Sequence, residues 1–572
     1  MSNYFKNLGD ALKSFISDNK KVGIPTTIVF TGLSLIIVAY NITNIFNKML
    51  GVKNYSFKMF VTQESYTKNM AIIASILVFL YVLYLMFFNN NKTGSKNKND
   101  LGNAQIRNER ALSGLTGNDG MLLSKKVQLK SSTCFEHIAI IGPTGSGKSS
   151  TFFIPNLLNL PADASMVISD PKGELYQKTK AYNESIGRQC ILFAPLEPEH
   201  SEKYNPLDVA NTVTEIREIA QNLLINGANA IALATGKPTG GDSEWINMAV
   251  PLWTAALLFV KSSNNAELCT ITGALNLILE KDVKQLDLLF LHSTPDVKAQ
   301  YNIFKQASGS EKTAASIKTV LASNLQLFTD PAVKHVTSAT EFHPYILKDK
   351  PTAIYIMCPE RRSSYASPFM SCFYSQIINK IMEYKGKDLP VYMMLDEFSN
   401  IGVIPNFAQL AATCRSRKLS LTVGIQGIEQ LHQNYGKETG DNILNNLKAK
   451  IFYPGLAPFS AGLASSLCGN TTVNTESTSK NKDSITNSIS AGFQRRELMD
   501  ADEIRRLPSD EVLLILHNRE PVIDKQNKYY ESKRFLDKIK ESPLPIKEDW
   551  IGGEENGVFK NGFQYNPEMY KE

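Results

Sequence analysis

A chain of 572 residues exceeds what one hydrophobic core can hold and implies about three or four domains. Hydrophobic content of 43% with 20% charged residues excludes a disordered chain, and a formal charge of +6 at this length is too dilute to mark an acidic partner. Seven cysteines, at 134, 190, 269, 358, 372, 414 and 468, show no C-x-x-C spacing, so no metal site is visible and free thiols in a reducing compartment are expected.

Two uncharged segments come first, VGIPTTIVFTGLSLIIVAY (22–40) and MAIIASILVFLYVLYLMFF (70–88). Each is long enough to cross a hydrocarbon core of about 30 Å as a helix. They predict an N-terminal transmembrane hairpin over residues 1–88, with spans at 22–40 and 70–88. Lys6, Lys13, Lys20 and Lys21 precede the first span, and Lys92, Lys96, Lys98, Arg107 and Arg110 follow the second. The connecting loop holds only Lys48, Lys53, Lys58 and Lys68, so both ends are expected inside the cell, a multi-pass protein of the cell membrane. Residues 89–110 read as a linker, opening on the polar run NNNKTGSKNKNDLGN. Its NKND (97–100) matches the guanine-reading N-K-x-D by chance, because that motif needs to end a buried strand.

A nucleotide-binding domain is expected over 111–211 and 341–540. Its first signal is HIAIIGPTGSGKSSTFF: a short β-branched strand runs into Gly142, Pro143, Thr144, Gly145, Ser146, Gly147, Lys148 and Ser149, which fit G-x-x-x-x-G-K-[ST], with Ser150 following. The glycines let the backbone wrap phosphates, Lys148 reaches the β- and γ-phosphates, and the Ser149 hydroxyl ligates Mg²⁺. Pro155 interrupts the helix that should follow. The chain is therefore expected to bind a nucleoside triphosphate, taken as ATP, with Mg²⁺.

Strands are then expected at SMVIS before Asp170 and at CILFAPLEP (190–198). From 212 to 340 the apolar spacing turns to 3.6, predicting an all-helical insertion. Strand-like runs return at TAIYIMC (352–358), VYMMLDEF (391–398), LSLTVGIQ (419–426) and KIFYPG (450–455). Alternating strands and helices predict a mostly parallel sheet covered on both faces. Residues 470–489, rich in Ser, Thr and Asn, read as a surface loop or arm, and 541–572 as a poorly ordered tail.

Two strands end in an acid. Asp396 is followed directly by Glu397, and adjacent acids at a strand end can hold the metal shell and orient a water, so this pair is the better choice for the second motif of a P-loop ATPase. Asp170 either lines the same cleft or caps the DPKG turn. Gln426 ends the strand LSLTVGI, placed to touch the γ-phosphate or simply opening a loop. Arg415 and Arg417 precede that strand, where an arginine offered to a neighbouring subunit's γ-phosphate would stabilise the transition state.

GPTGSGKSS, DPKGEL, YNPL, LDEFSNIG, the RSRK–IQ segment and ELMDADEIRRLPSDEVLLIL (497–516), behind a two-span N-terminus, together resemble the type IV coupling proteins, the TraG-like ATPases of conjugation and type IV secretion. The resemblance implies a RecA-like P-loop ATPase domain with an inserted all-α domain and an N-terminal two-helix transmembrane anchor, assembled as a ring, a hexamer. It assigns Lys148, Ser149, Asp396 and Glu397 to ATP and Mg²⁺ chemistry, Gln426 to sensing the γ-phosphate and Arg415 to acting in trans. It also implies a function: receiving single-stranded DNA with a bound relaxase and delivering it to type IV secretion channel proteins, powered by ATP.

The residues themselves speak faintly of DNA. Residues 89–130 hold eight Lys/Arg against three Asp/Glu, which positive-inside topology explains equally well. A second reading is a substrate receptor for protein-only secretion in which nucleotide drives assembly. A double-stranded DNA pump is disfavoured by the single short external loop and by the DPKGEL and LDEFSNIG signatures, and ABC-type ATPases are excluded by the missing LSGGQ.

Overall fold

The computed structural model describes residues 102–236, 243–263, 265–479 and 488–550, with five positions between Tyr40 and Lys48. Apart from Tyr40, both expected membrane spans lie outside the described residues, as do 551–572. The described residues from Gly102 onward belong to one compact unit.

Eleven strands are described in chain order: β1 (Ile138–Ile141), β2 (Ser165–Ser169), β3 (Gln189–Phe193), β4 (Thr352–Ile356), β5 (Val391–Leu395), β6 (Leu419–Ile425), β7 (Ala449–Phe452), β8 (Asn470–Ser479), β9 (Ser488–Glu497), β10 (Glu511–Leu516) and β11 (Val522–Lys525). Nine of them form one sheet in the order β11-β10-β7-β1-β6-β5-β2-β4-β3. From β7 to β3 neighbours are parallel, and β10 and β11 close one side antiparallel.

The strands read as unbroken apolar runs because both faces are covered. Side chains alternate between two cores: Ala139 and Ile141 enter one, Ile138 and Ile140 the other, and β5 divides Val391, Met393 and Leu395 from Tyr392 and Met394 in the same way. Each such fully buried aliphatic side chain contributes about 1.5–3 kcal/mol.

Between β3 and β4 the described residues from Val213 to Val336 form a series of helices. Its starts are capped as the sequence allows: Thr212, Thr270, Ser310 and Asp330 each accept a backbone N–H of the helix they precede, and Asp282 with Gln285 forms a capping box. The helix Ser243–Ser262 is apolar enough to span a membrane by composition. Here it is a core helix, with Leu252, Trp253, Ala256 and Leu257 fully buried. At Gly227 the helix Val213–Thr235 crosses the end of Glu311–Asn324 so closely that an added Cβ would sit 2.1 Å from the Asn324 carbonyl oxygen. The helical segment shares one continuous core with the sheet face that carries Ala139 and Val167.

Three stretches refine or differ from expectation. Of the loop or arm expected at 470–489, the described residues form an arm: β8 and β9 pair over ten residues as an antiparallel ribbon outside the main sheet. Thr, Val and Ile on a chain with no apolar face gave only a weak strand signal. Residues 102–110 of the expected linker are tied down, since the Ala104 N–H donates to Asn470 O, the Arg107 N–H donates to Pro521 O, and Arg107 pairs with Glu520. Residues 541–550 of the expected tail are also held: the Ser542 N–H donates to Gln177 O, Lys547 pairs with Glu202, and Trp550 packs edge-on against His335.

Candidate active site

Sheet order makes the site. β6 lies between β1 and β5 and runs parallel to both, so the P-loop, Gln426 and Asp396-Glu397 leave the sheet side by side at its carboxyl edge. Gly145 and Gly147 both lie in the left-handed region, at φ 78° and 90°, where any Cβ would be strained. Thr144 is exposed at the loop apex, and Pro143 faces Gly455 across the fold. The helix opens as a wide turn, with the Ile154 N–H reaching Ser149 O five residues back, and this absorbs Pro155.

Lys148 is only 5% exposed, and its Nζ donates to Gly142 O at 2.7 Å and to Pro143 O at 3.4 Å. The same Nζ lies 3.7 Å from Glu397 Oε1. The other Glu397 oxygen accepts from Gln426 Nε2 at 3.0 Å, while the Gln426 N–H donates to Gln430 Oε1. Glu397 itself sits at φ 54° and ψ 50°, a left-handed conformation that costs a non-glycine residue about 1–2 kcal/mol. Ser149 Oγ donates to Asp396 Oδ2 at 3.3 Å, and Ser169 Oγ donates to the Asp396 carbonyl at 3.0 Å. Burial pushes the Asp396 carboxyl up to about 6, the Lys148 charge pulling it down and the Glu397 charge raising it further.

Ser150 Oγ and Thr151 Oγ1 both donate to Gly147 O, and Thr151 bonds the Tyr453 hydroxyl at 2.8 Å. Ser146 Oγ is buried with no hydrogen-bond partner among the described residues. An orphaned hydroxyl in a glycine loop, a buried ammonium and a serine beside a buried carboxylate are the donor set that a phosphate chain with its magnesium requires, so the residues fit both groups. Among the described residues, no His/Cys/Asp/Glu cluster forms another metal site.

Asp170 takes the capping role left open by the sequence. Its Oδ2 accepts the Tyr176 N–H at 2.8 Å, fixing the helix Glu174–Ser185, and burial pushes its carboxyl up to about 6. Arg415 is not brought to this cluster. It precedes β6, at the amino edge of the sheet, where its Nη1 lies 2.8 Å from Glu136 Oε1 with the side chain 61% exposed. Sequence reasoning missed Tyr453 and the left-handed Glu397, and it missed Ser169, whose one signal was its place on a strand end beside Asp170.

A family model described as Type IV secretory system Conjugative DNA transfer matches residues 95–547. Protein VirD4 of Rhizobium rhizogenes is 26% identical over 421 residues, covering 71% of this chain, which spans 60% of that relative's length. The plasmid coupling protein TrwB in complex with the ATP analogue ADPNP superposes with a TM-score of 0.60 at 15% identity, over 78% of this chain and 97% of that one. TrwB in complex with ADP and Mg²⁺ gives 0.57 at 16% identity, over 78% and 96%. These likenesses show a TrwB-like fold built on a mostly parallel α/β sheet. The chain belongs to the type IV secretory system conjugative DNA transfer family.

Proposed function

We propose that this chain is a membrane-anchored ATP hydrolase that couples relaxase-bound single-stranded DNA to a type IV secretion channel and powers its transfer during conjugation. The observation that carries the reading is the Glu397 carboxylate, held between Lys148 and Gln426 in a left-handed backbone and beside the Ser149–Asp396 pair. A chain that only received substrates would not need a strained acid beside a phosphate loop.

The division of labour follows from position. The loop from Gly142 to Gly147, with Ser150, cradles phosphates through backbone N–H groups and hydroxyls, and Lys148 neutralises their charge. Ser149 and Asp396 would hold the magnesium, which would supply positive charge against the phosphate chain. Glu397 orients the attacking water and accepts its proton, and Gln426 places Glu397 and reads the γ-phosphate. Arg415 serves the pocket of the next subunit in a ring, a hexamer, whose stem is the hairpin at 22–40 and 70–88. Family membership and the ADPNP-bound and ADP–Mg²⁺-bound neighbours support this reading.

The test compares nucleotide binding with hydrolysis in the purified full-length chain. Glu397→Gln is expected to keep ATP affinity within about twofold and to lose at least about 10²-fold in kcat, the size of a lost general base. Lys148→Ala is expected to lose binding as well. Unchanged turnover in Glu397→Gln would remove the assigned chemistry.

A further inference from the structure

The edge of the sheet opposite the phosphate loop carries a second ordered charge cluster. Glu136 precedes β1, Arg415 precedes β6 and His517 follows β10, whose antiparallel run brings its end beside the start of β7. With the order β10-β7-β1-β6, all three loops meet at this amino edge. The two oxygens of Glu136 are divided between partners: Oε1 lies 2.8 Å from Arg415 Nη1 and Oε2 lies 3.2 Å from His517 Nδ1. Glu136 and His517 are each 19% exposed, whereas Arg415 is 61% exposed and borders an open hollow of about 480 Å³ with Lys418.

His517 occupies a left-handed conformation at φ 51°, and its Nε2 is buried without a hydrogen-bond partner among the described residues. Its imidazole therefore makes one polar contact, to Glu136. The backbone is fixed to the same cluster, because the His517 N–H donates to Lys448 O and the Lys448 N–H donates to Glu136 O, both at 2.9 Å. A strained residue spent on one contact to a carboxylate, which in turn grips an exposed guanidinium, has the form of an aiming device.

We infer that Glu136, itself fixed by His517, is a positioning residue that holds the Arg415 guanidinium out toward the neighbouring subunit's γ-phosphate. The inference rests on the trans role proposed above for Arg415. Glu136 meets the guanidinium through one distal nitrogen, Nη1, which leaves the N–H donors of Nε and Nη2 to engage phosphate oxygens. An unheld arginine would sample many rotamers, and misplacement by about 1 Å costs on the order of 10²-fold in rate.

The test is a double-mutant cycle on steady-state hydrolysis by the full chain, with ATP affinity and thermal unfolding measured alongside. Glu136→Gln, close in size to the native residue, is expected to lower kcat by about 10²-fold with KM for ATP unchanged and the fold intact. In an Arg415→Ala background it is expected to cost nothing further. His517→Asn, which tolerates the left-handed backbone and can present an amide N–H to Glu136, is expected to retain more activity than His517→Ala. Wild-type kcat in Glu136→Gln, or an equal loss with and without Arg415, would overturn the inference while leaving the trans role standing. Full activity in Arg415→Ala would overturn the trans role itself, and this inference with it.

Discussion

At the scale of single residues, the site is built from groups that an average environment would not tolerate. Asp396 and Asp170 are buried carboxyls raised to about 6, so their folded forms favour the proton and their ionisation costs stability above that pH. His137 works in the opposite sense. Its Nδ1 accepts the Leu421 N–H at 3.1 Å, its Nε2 lies 2.7 Å from Ala411 O, and burial pushes it down to about 4. The neutral ring is the one the fold holds. Its contribution is complete above about 6.5, the unfolded value, and is lost as pH falls through 6.5 to about 4, amounting to about 3 kcal/mol. Urea midpoints measured between pH 8 and pH 4.5 should therefore fall more steeply for the native chain than for His137→Asn, whose difference from it isolates this one group from the two acids. Parallel curves would contradict the neutral assignment.

At the scale of elements, the crossing of the helices Val213–Thr235 and Glu311–Asn324 depends on the absent side chain at Gly227. Gly227→Ala must push the Asn324 carbonyl aside and is expected to destabilise the chain by about 1–3 kcal/mol, read as a lower urea midpoint. A midpoint equal to or above the native one would mean that the crossing is looser than described. Periodicity and glycine spacing made much legible at this level: β1 with its phosphate loop, β5 ending in Asp396-Glu397, and the helical run after Thr212 each carry a local signal. What could not be read was lateral order. Nothing in the chain says that β6 inserts between β1 and β5, and this alone brings Gln426 to Glu397. The same order, set by packing between elements distant in sequence, gathers Glu136, Arg415 and His517 at the other edge. Asp170 stayed open between cleft and cap because strand-end acids look alike in sequence, and the structure turns its carboxylate onto the Tyr176 N–H.

At the scale of the whole molecule, the phosphate loop and Arg415 lie on opposite edges of one sheet, so under the trans role proposed for Arg415 a site would be completed only by a neighbouring chain. Mixing Lys148→Ala subunits with Arg415→Ala subunits is expected to restore part of the hydrolysis that each lacks alone, because some interfaces then pair an intact loop with an intact arginine. No recovery in mixed oligomers of confirmed composition would contradict action in trans. The most direct measurement of the central claim is steady-state ATP hydrolysis by the full-length oligomer with and without single-stranded DNA, beside Lys148→Ala and Glu397→Gln. A DNA-driven motor predicts a rise of about tenfold or more on adding DNA, abolished in both variants. An unchanged rate in a confirmed oligomer would contradict it, leaving a pocket that serves assembly or protein export rather than the passage of DNA.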